Sequence, residues 1–233
     1  MKIAMWSGPR NLSTAMMYAF GARGDCAVWD EPFYAPYLKA TGSDHPLAAR
    51  IISAHEGDPA RVAARCQGPV PGGKNHFYMK HMAHHMLPGF PLDWVAGCAH
   101  VHLIRHPARV IASYAAKRED PTLEDIAFPQ QAALYENLGG VVIDSHDIRV
   151  NPQEILGKLC AAIGLDFTET MLNWPAGGHA DDGIWAAHWY GAIHNSTGFA
   201  GPEGPLPDLT GRAADLLQQA LPFYRAMAAE KLR

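Results

Sequence analysis

Residues 2–18, Lys-Ile-Ala-Met-Trp-Ser-Gly-Pro-Arg-Asn-Leu-Ser-Thr-Ala-Met-Met-Tyr, pass from a short apolar run through a polar turn into a helical pattern. That order reads as strand, loop and helix. A new helix leaves several backbone N–H groups without intrahelical partners, and this loop adds Arg10 and the hydroxyls of Ser13 and Thr14, so phosphate or sulfate oxygens suit it. Gly8-Pro-Arg-Asn-Leu-Ser-Thr14 lacks the second Gly and the Lys of a Walker A loop. An Arg with a Ser-Thr pair holds an anion without a metal, which argues against an ordinary ATPase or GTPase. Without a ligand the same stretch is a strand, a turn and a helix capped by Ser13 and Thr14.

A second strand runs into a second helix over residues 99–118. Pro107 suits a first helical turn, and Val110, Ile111 and Tyr114 form an apolar face behind it. Arg105 leaves the strand end and Ser113 lies two turns into the helix. In a parallel sheet the carboxyl ends of neighbouring strands line one crevice, so Arg105 and the 7–14 loop face the same ligand. Arg109 reads as a solvated helix residue.

These two segments together resemble the sulfotransferases that use 3′-phosphoadenosine 5′-phosphosulfate (PAPS). In that family a Pro-Lys/Arg-x-x-Ser/Thr-Thr loop cradles the 5′-phosphosulfate, matched here by Pro9, Arg10, Asn11, Leu12, Ser13 and Thr14. An Arg-x-Pro-x-x-x-x-x-Ser element holds the 3′-phosphate, matched by Arg105, Pro107 and Ser113. Val141-Val-Ile-Asp144, the Asn151–Cys160 stretch and Gly164-Leu-Asp-Phe167 look like the family's later strand and helix, so the resemblance spans residues 1–175. The Arg-Lys-Gly loop with which cytosolic members cover the nucleotide has no counterpart; Gly183–Tyr190 and Ser196–Phe199 stand in that region. The resemblance implies a P-loop-like sulfotransferase with PAPS as co-substrate and adenosine 3′,5′-bisphosphate (PAP) as product.

Alternating strands, near 2–6, 26–29, 77–81, 100–104 and 140–144, and helices, near 12–22, 46–54, 107–118, 123–137, 151–163, 184–194 and 208–230, predict one three-layer α/β domain over residues 1–233. Its sheet should be mainly parallel and flanked by helices. The Gly/Pro-rich segments 68–73 and 198–207 read as loops, the second as a lid. No apolar stretch reaches 18 residues and no signal pattern opens the chain, which points to a cytoplasmic protein without a membrane partner. A net charge of −4 argues against nucleic acid. Cys26, Cys66, Cys98 and Cys160 show no CxxC spacing and read as buried thiols.

Sulfuryl transfer needs a base for the acceptor proton and cations for the charge on the leaving phosphate. Arg10 is the expected cation. Two elements compete for the base. Glu31, in Val28-Trp-Asp-Glu-Pro-Phe-Tyr34 past the second strand, resembles the Glu-Pro element that supplies the base in trehalose sulfotransferases, whereas Asp30 is the lesser acid of the pair. Tyr78-Met-Lys80-His81-Met-Ala-His84-His85 resembles the Lys-x-His element of cytosolic sulfotransferases, but Met82 occupies the histidine position. His81, His84 or His85 then substitutes as base, with His81 and His84 on one face if the chain turns helical, and Lys80 steadies the bridging or departing oxygen. No carboxylate or cysteine spacing around these histidines supports a metal site.

Trp6, Phe33, Tyr34, Tyr37, Trp185, Trp189 and Tyr190 are candidates for an acceptor pocket, at least half of them core residues. A small-molecule alcohol, sugar or phenol, or an amine, fits such a site. Two further readings stay open: a P-loop phosphotransferase or kinase, and a non-catalytic nucleotide-binding module of the same fold.

Overall fold

The structure, a computed structural model, describes residues 1–116 and 120–233. Its strands are β1 (Lys2–Ser7), β2 (Cys26–Asp30), β3 (His76–Met82), β4 (Cys98–Ile104) and β5 (Val141–Asp144). The helices that matter for the site are α1 (Ser13–Gly21), α2 (Tyr34–Thr41), α3 (Ala48–Ala54), α4 (Pro59–Gln67), α5 (Pro107–Ala115), α6 (Leu123–Ile126), α7 (Phe128–Leu138), α8 (Ser145–Val150), α9 (Pro152–Ile163), α10 (Ala186–Trp189), α11 (Gly191–His194) and α12 (Gly211–Ala229). All five strands run parallel in the order β2-β3-β1-β4-β5. The chain leaves β1 toward one edge and later crosses to β4 on its other side. Loops at the carboxyl ends of β1, β3 and β4 therefore converge.

Every residue of β1 from Ile3 to Ser7 is buried because helices cover both faces of the sheet. Alternate side chains divide between the layers. Ile3 and Met5 pack with α1 and with Ile155, Leu156 and Leu159 of α9 on one face. Ala4 and Trp6 pack with Val62, Ala63 and Cys66 of α4 and with Phe33 and Trp94 on the other. Full burial of a side chain such as Trp6 contributes about 2–3 kcal/mol. The single α/β domain and its parallel sheet match the fold expected from the alternation of elements.

Local chemistry sets the element ends. Pro107 begins α5, with the His106 ring accepting from the Ala108 N–H; Asn151 caps α9, which stops at Gly164 with φ 73°. The helix expected over 123–137 is two helices, because Ala127 takes φ 61° between α6 and α7. The helix expected over 184–194 is likewise split between α10 and α11. Helix α5 ends at Ala115, short of the expected 118, and residues 117 and 118 lie outside the described residues. Three short helices, α2, α4 and α8, had not been foreseen. The four cysteines are free thiols, three of them buried. Among the described residues no helix is long and apolar enough to cross a membrane.

Candidate active site

The loop after β1 is braced from beneath. Gln131 of α7 donates to the carbonyls of Trp6 (3.2 Å) and Leu103 (2.8 Å) and accepts from the Gly8 N–H (3.0 Å), tying the ends of β1 and β4 together. The Asn11 amide donates to the Leu103 carbonyl at 3.1 Å, so this buried side chain shapes the loop from inside. A Cβ at position 8 would stand 2.8 Å from the Ile126 carbonyl, which restricts that position to glycine.

Above the brace, Arg10 (φ 61°) and Leu12 (φ 75°) both take left-handed backbone. Such residues turn successive N–H groups toward one concavity, an anion nest. Helix α1 starts there with no side-chain cap on its N-terminus, so its free N–H groups and positive dipole end face the same space. Pro9, Arg10, Asn11, Leu12, Ser13 and Thr14 all line a cavity of about 310 Å³ at the carboxyl edge of the sheet.

Arginines gather on one side of this cavity. Arg105 follows β4 and donates through Nη1 to the Arg10 carbonyl at 2.6 Å, and Arg10 Nε donates to Ser113 Oγ at 2.9 Å. Ser113 of α5 thus ties to the loop after β1 and is not itself among the cavity-lining residues. Burial and the neighbouring Arg105 charge both work against the Arg10 guanidinium, a cost that a bound anion relieves. Arg109 does not stand solvated as expected: its Nε lies 3.2 Å from Glu203 Oε2, and it donates to the Gly204 carbonyl.

The other side is acidic and buried. Asp30 and Lys80 are register partners on β2 and β3, and Lys80 Nζ reaches Asp30 Oδ1 (2.8 Å), Glu31 Oε1 (2.5 Å) and the Tyr190 hydroxyl (2.8 Å). An ammonium has three protons and all three have protein partners. Lys80 has no donor left for a departing oxygen, which corrects the role expected of it. Burial pulls the ammonium down, but the two carboxylates outweigh that and hold it above its ordinary value. Asp30 is braced further by Tyr190 and by the Gly183 N–H at 3.1 Å.

Glu31 takes φ 42°, a strained backbone for glutamate, which brings its carboxyl to the cavity wall. Burial pushes this carboxyl above the ordinary range, with Lys80 pulling the other way and Asp30 adding to the rise. A carboxylate so poised is a better proton acceptor than one in water.

The histidines separate. Strand β3 stays extended to Met82, so Lys80 and Met82 reach the cavity while His81 projects through the opposite face. There it stacks on Trp6 (4.7 Å between centroids) and packs against Trp94 (4.8 Å), and burial drives it down to about 3. His81 is thus removed from the candidate bases, and the shared helical face with His84 does not form. His84 and His85 occupy a single turn after β3 and line the cavity. Burial lowers His84 to about 3 and takes His85 well below its ordinary value, so both are neutral and weakly basic. His85 lies between the rings of Tyr34 (4.5 Å) and Tyr37 (4.8 Å), with Nδ1 3.9 Å from Glu31 Oε2.

Of the expected pocket aromatics, Tyr34, Trp189 and Tyr190 line the cavity, while Trp6 and Phe33 are core and Trp185 lies behind Tyr190, donating to its hydroxyl at 3.1 Å. The remaining wall is largely apolar, from Leu12, Met82, Tyr114, Ile193 and Phe199. Among the described residues no group of three or more His, Cys, Asp or Glu is arranged to hold a metal ion.

A parallel α/β domain with left-handed backbone at its first strand end and a desolvated carboxylate across the cavity has the layout of a sheet-edge ligand site suited to an anion. The chain belongs to the sulfotransferase domain family, which it matches over residues 1–231. It is 34% identical to two Arabidopsis thaliana proteins, branched-chain-amino-acid aminotransferase-like proteins 2 and 1, over 231 and 230 residues, covering 97% of this chain and 41% of each relative. The chain thus spans about two fifths of the length of these relatives. A solved sulfotransferase domain from the curacin biosynthetic pathway shares the fold, with a TM-score of 0.58 at 16% identity over 93% of this chain and 96% of that one.

Proposed function

We propose that the chain transfers a sulfuryl group from PAPS to a hydroxyl of a small-molecule acceptor, with Glu31 as general base. The observation that carries this reading is the placement of a desolvated carboxylate and an anion nest on opposite walls of one cavity. The residues fit the donor. The nest, the uncapped start of α1 and Arg10 suit the 5′-phosphosulfate, and Arg105, whose buried Nε has no partner among the described residues, suits a phosphate beside it.

In the reaction the acceptor O–H gives its proton to Glu31, the oxygen attacks sulfur, and the bond from sulfur to the bridging phosphate oxygen breaks. The negative charge gained by PAP falls on Arg10 and the nest N–H groups, which are in place before it develops. Lys80 and Tyr190, both reaching Glu31 Oε1, hold this carboxyl at the cavity wall. The apolar wall of Tyr34, Met82, Trp189 and Phe199 favours an acceptor with a compact apolar body and one reactive hydroxyl. A radiolabelled PAPS transfer assay over small alcohols, sugars, phenols and amines tests the proposal. Label on an acceptor, lost in Glu31→Gln, supports it; no transfer to any class, with PAP bound, removes the catalytic reading.

A further inference from the structure

Glu203 sits among three arginines. Its carboxylate pairs with Arg105 and with Arg149 of α8 (2.9 Å) through Oε1 and with Arg109 (3.2 Å) through Oε2, and its side chain is only 5% exposed. The surrounding strap, Gly201-Pro-Glu-Gly-Pro205, has no regular secondary structure. Arg149 Nε donates to the Gly201 carbonyl at 2.8 Å and Arg109 to the Gly204 carbonyl. Three guanidiniums thus grip one segment at a carboxylate and two carbonyls.

The charges do not balance. Among the described residues one carboxylate serves three guanidiniums, leaving a surplus of two positive charges, and Arg105 Nε stays buried with no acceptor. A phosphate monoester brings nearly two negative charges and three acceptor oxygens, so it satisfies this cluster better than a two-oxygen carboxylate does. Arg105 also donates to the Arg10 carbonyl, which makes the cluster continuous with the donor cavity.

We infer that Arg105, Arg109 and Arg149 form a phosphate subsite whose resting occupant is Glu203, so that a nucleotide's phosphate enters by displacing this carboxylate and releasing the strap. The inference rests on the reading of the cavity as a nucleotide donor site. It gives Arg149 and Arg109 a ligand-binding role and makes Glu203 an internal competitor. Removing a competitor raises apparent affinity by the reciprocal of the fraction of time the site was free, about tenfold for a site free one tenth of the time.

The test follows Glu203 by carbodiimide footprinting with mass spectrometry on the wild-type chain, titrated with PAP, adenosine 5′-phosphate or inorganic phosphate. PAP should raise labelling of Glu203 several-fold and adenosine 5′-phosphate should not, while Glu203→Gln should bind PAP about tenfold tighter by calorimetry. Unchanged or reduced labelling at saturating PAP overturns the inference, as does a folded Glu203→Gln that binds PAP no better than wild type. If that variant fails to fold, the wild-type footprint decides alone. Labelling raised by inorganic phosphate when PAP does not bind keeps the displacement and removes the nucleotide reading; no rise with either ligand removes the displacement.

Discussion

The two walls of the cavity solve opposite electrostatic problems. The Asp30–Glu31–Lys80–Tyr190 wall is closed: its ammonium spends every proton inside the protein, and Asp30, Lys80 and Tyr190 are buried. The Arg10–Arg105 wall, continued outside the cavity by Arg109 and Arg149, is open-ended: among the described residues one carboxylate, Glu203, pairs with Arg105, Arg109 and Arg149. A closed network holds one geometry, and an unbalanced one waits for a ligand. On the proposed function, chemistry falls to the closed wall and binding to the open one.

The largest effects should come from the closed wall. Glu31→Gln should lower kcat roughly 10²–10⁴-fold with PAP affinity retained, measured by turnover and calorimetry on the same preparation. Equal losses in both would erase the division between the walls. Lys80→Met leaves Asp30 and Glu31 buried without their cation and should cost about 3–5 kcal/mol of stability by denaturant unfolding. A loss under about 1 kcal/mol would mean that water already reaches the pair.

On the open wall, Arg105→Ala should weaken PAP by about 2–3 kcal/mol while leaving the unfolding midpoint near wild type. Ser113→Ala should cost about 1 kcal/mol, the worth of its bond with Arg10. The reverse order would move the phosphate site away from Arg105.

A last effect concerns pH. His81 and His84, at about 3, and His102, at about 4, stay neutral in the folded chain but protonate near 6.5 when unfolded. The unfolded state therefore binds more protons below pH 6.5, so stability should be full above that value and fall from 6.5 down to about 3. A melting temperature that rises from pH 7 to pH 5 would contradict this, and His81→Phe should flatten the slope.

The open wall was legible in sequence only at Arg10 and Arg105, since Arg109 reads as a solvated helix residue and Arg149 belongs to no motif. Pro9–Thr14 and Arg105 with Ser113 are local patterns, since each lies within one strand-to-helix turn, and the parallel sheet follows from strand and helix alternation. The closed wall depends on register: nothing local says that Lys80 stands beside Asp30, or that Tyr190 returns 160 residues later to bridge them. His81 was misplaced because β3 runs extended to Met82, where alternation sends it to the far face. Glu203 carried no periodic signal within its Gly/Pro segment. Helix α4 did carry one, the Asp58-Pro59 start, but it is short, as is α8, which follows β5 directly with Asp144 as its cap.

Calorimetric titration of the wild-type chain with PAP, adenosine 5′-phosphate and ATP, side by side, bears most directly on the claim that one cavity pairs a phosphate-binding wall with a catalytic one. PAP should bind about a hundredfold more tightly than adenosine 5′-phosphate, because only PAP presents a second phosphate to the arginine cluster, and ATP should rank below PAP. Equal affinity for PAP and adenosine 5′-phosphate, or a preference for ATP, would contradict the account.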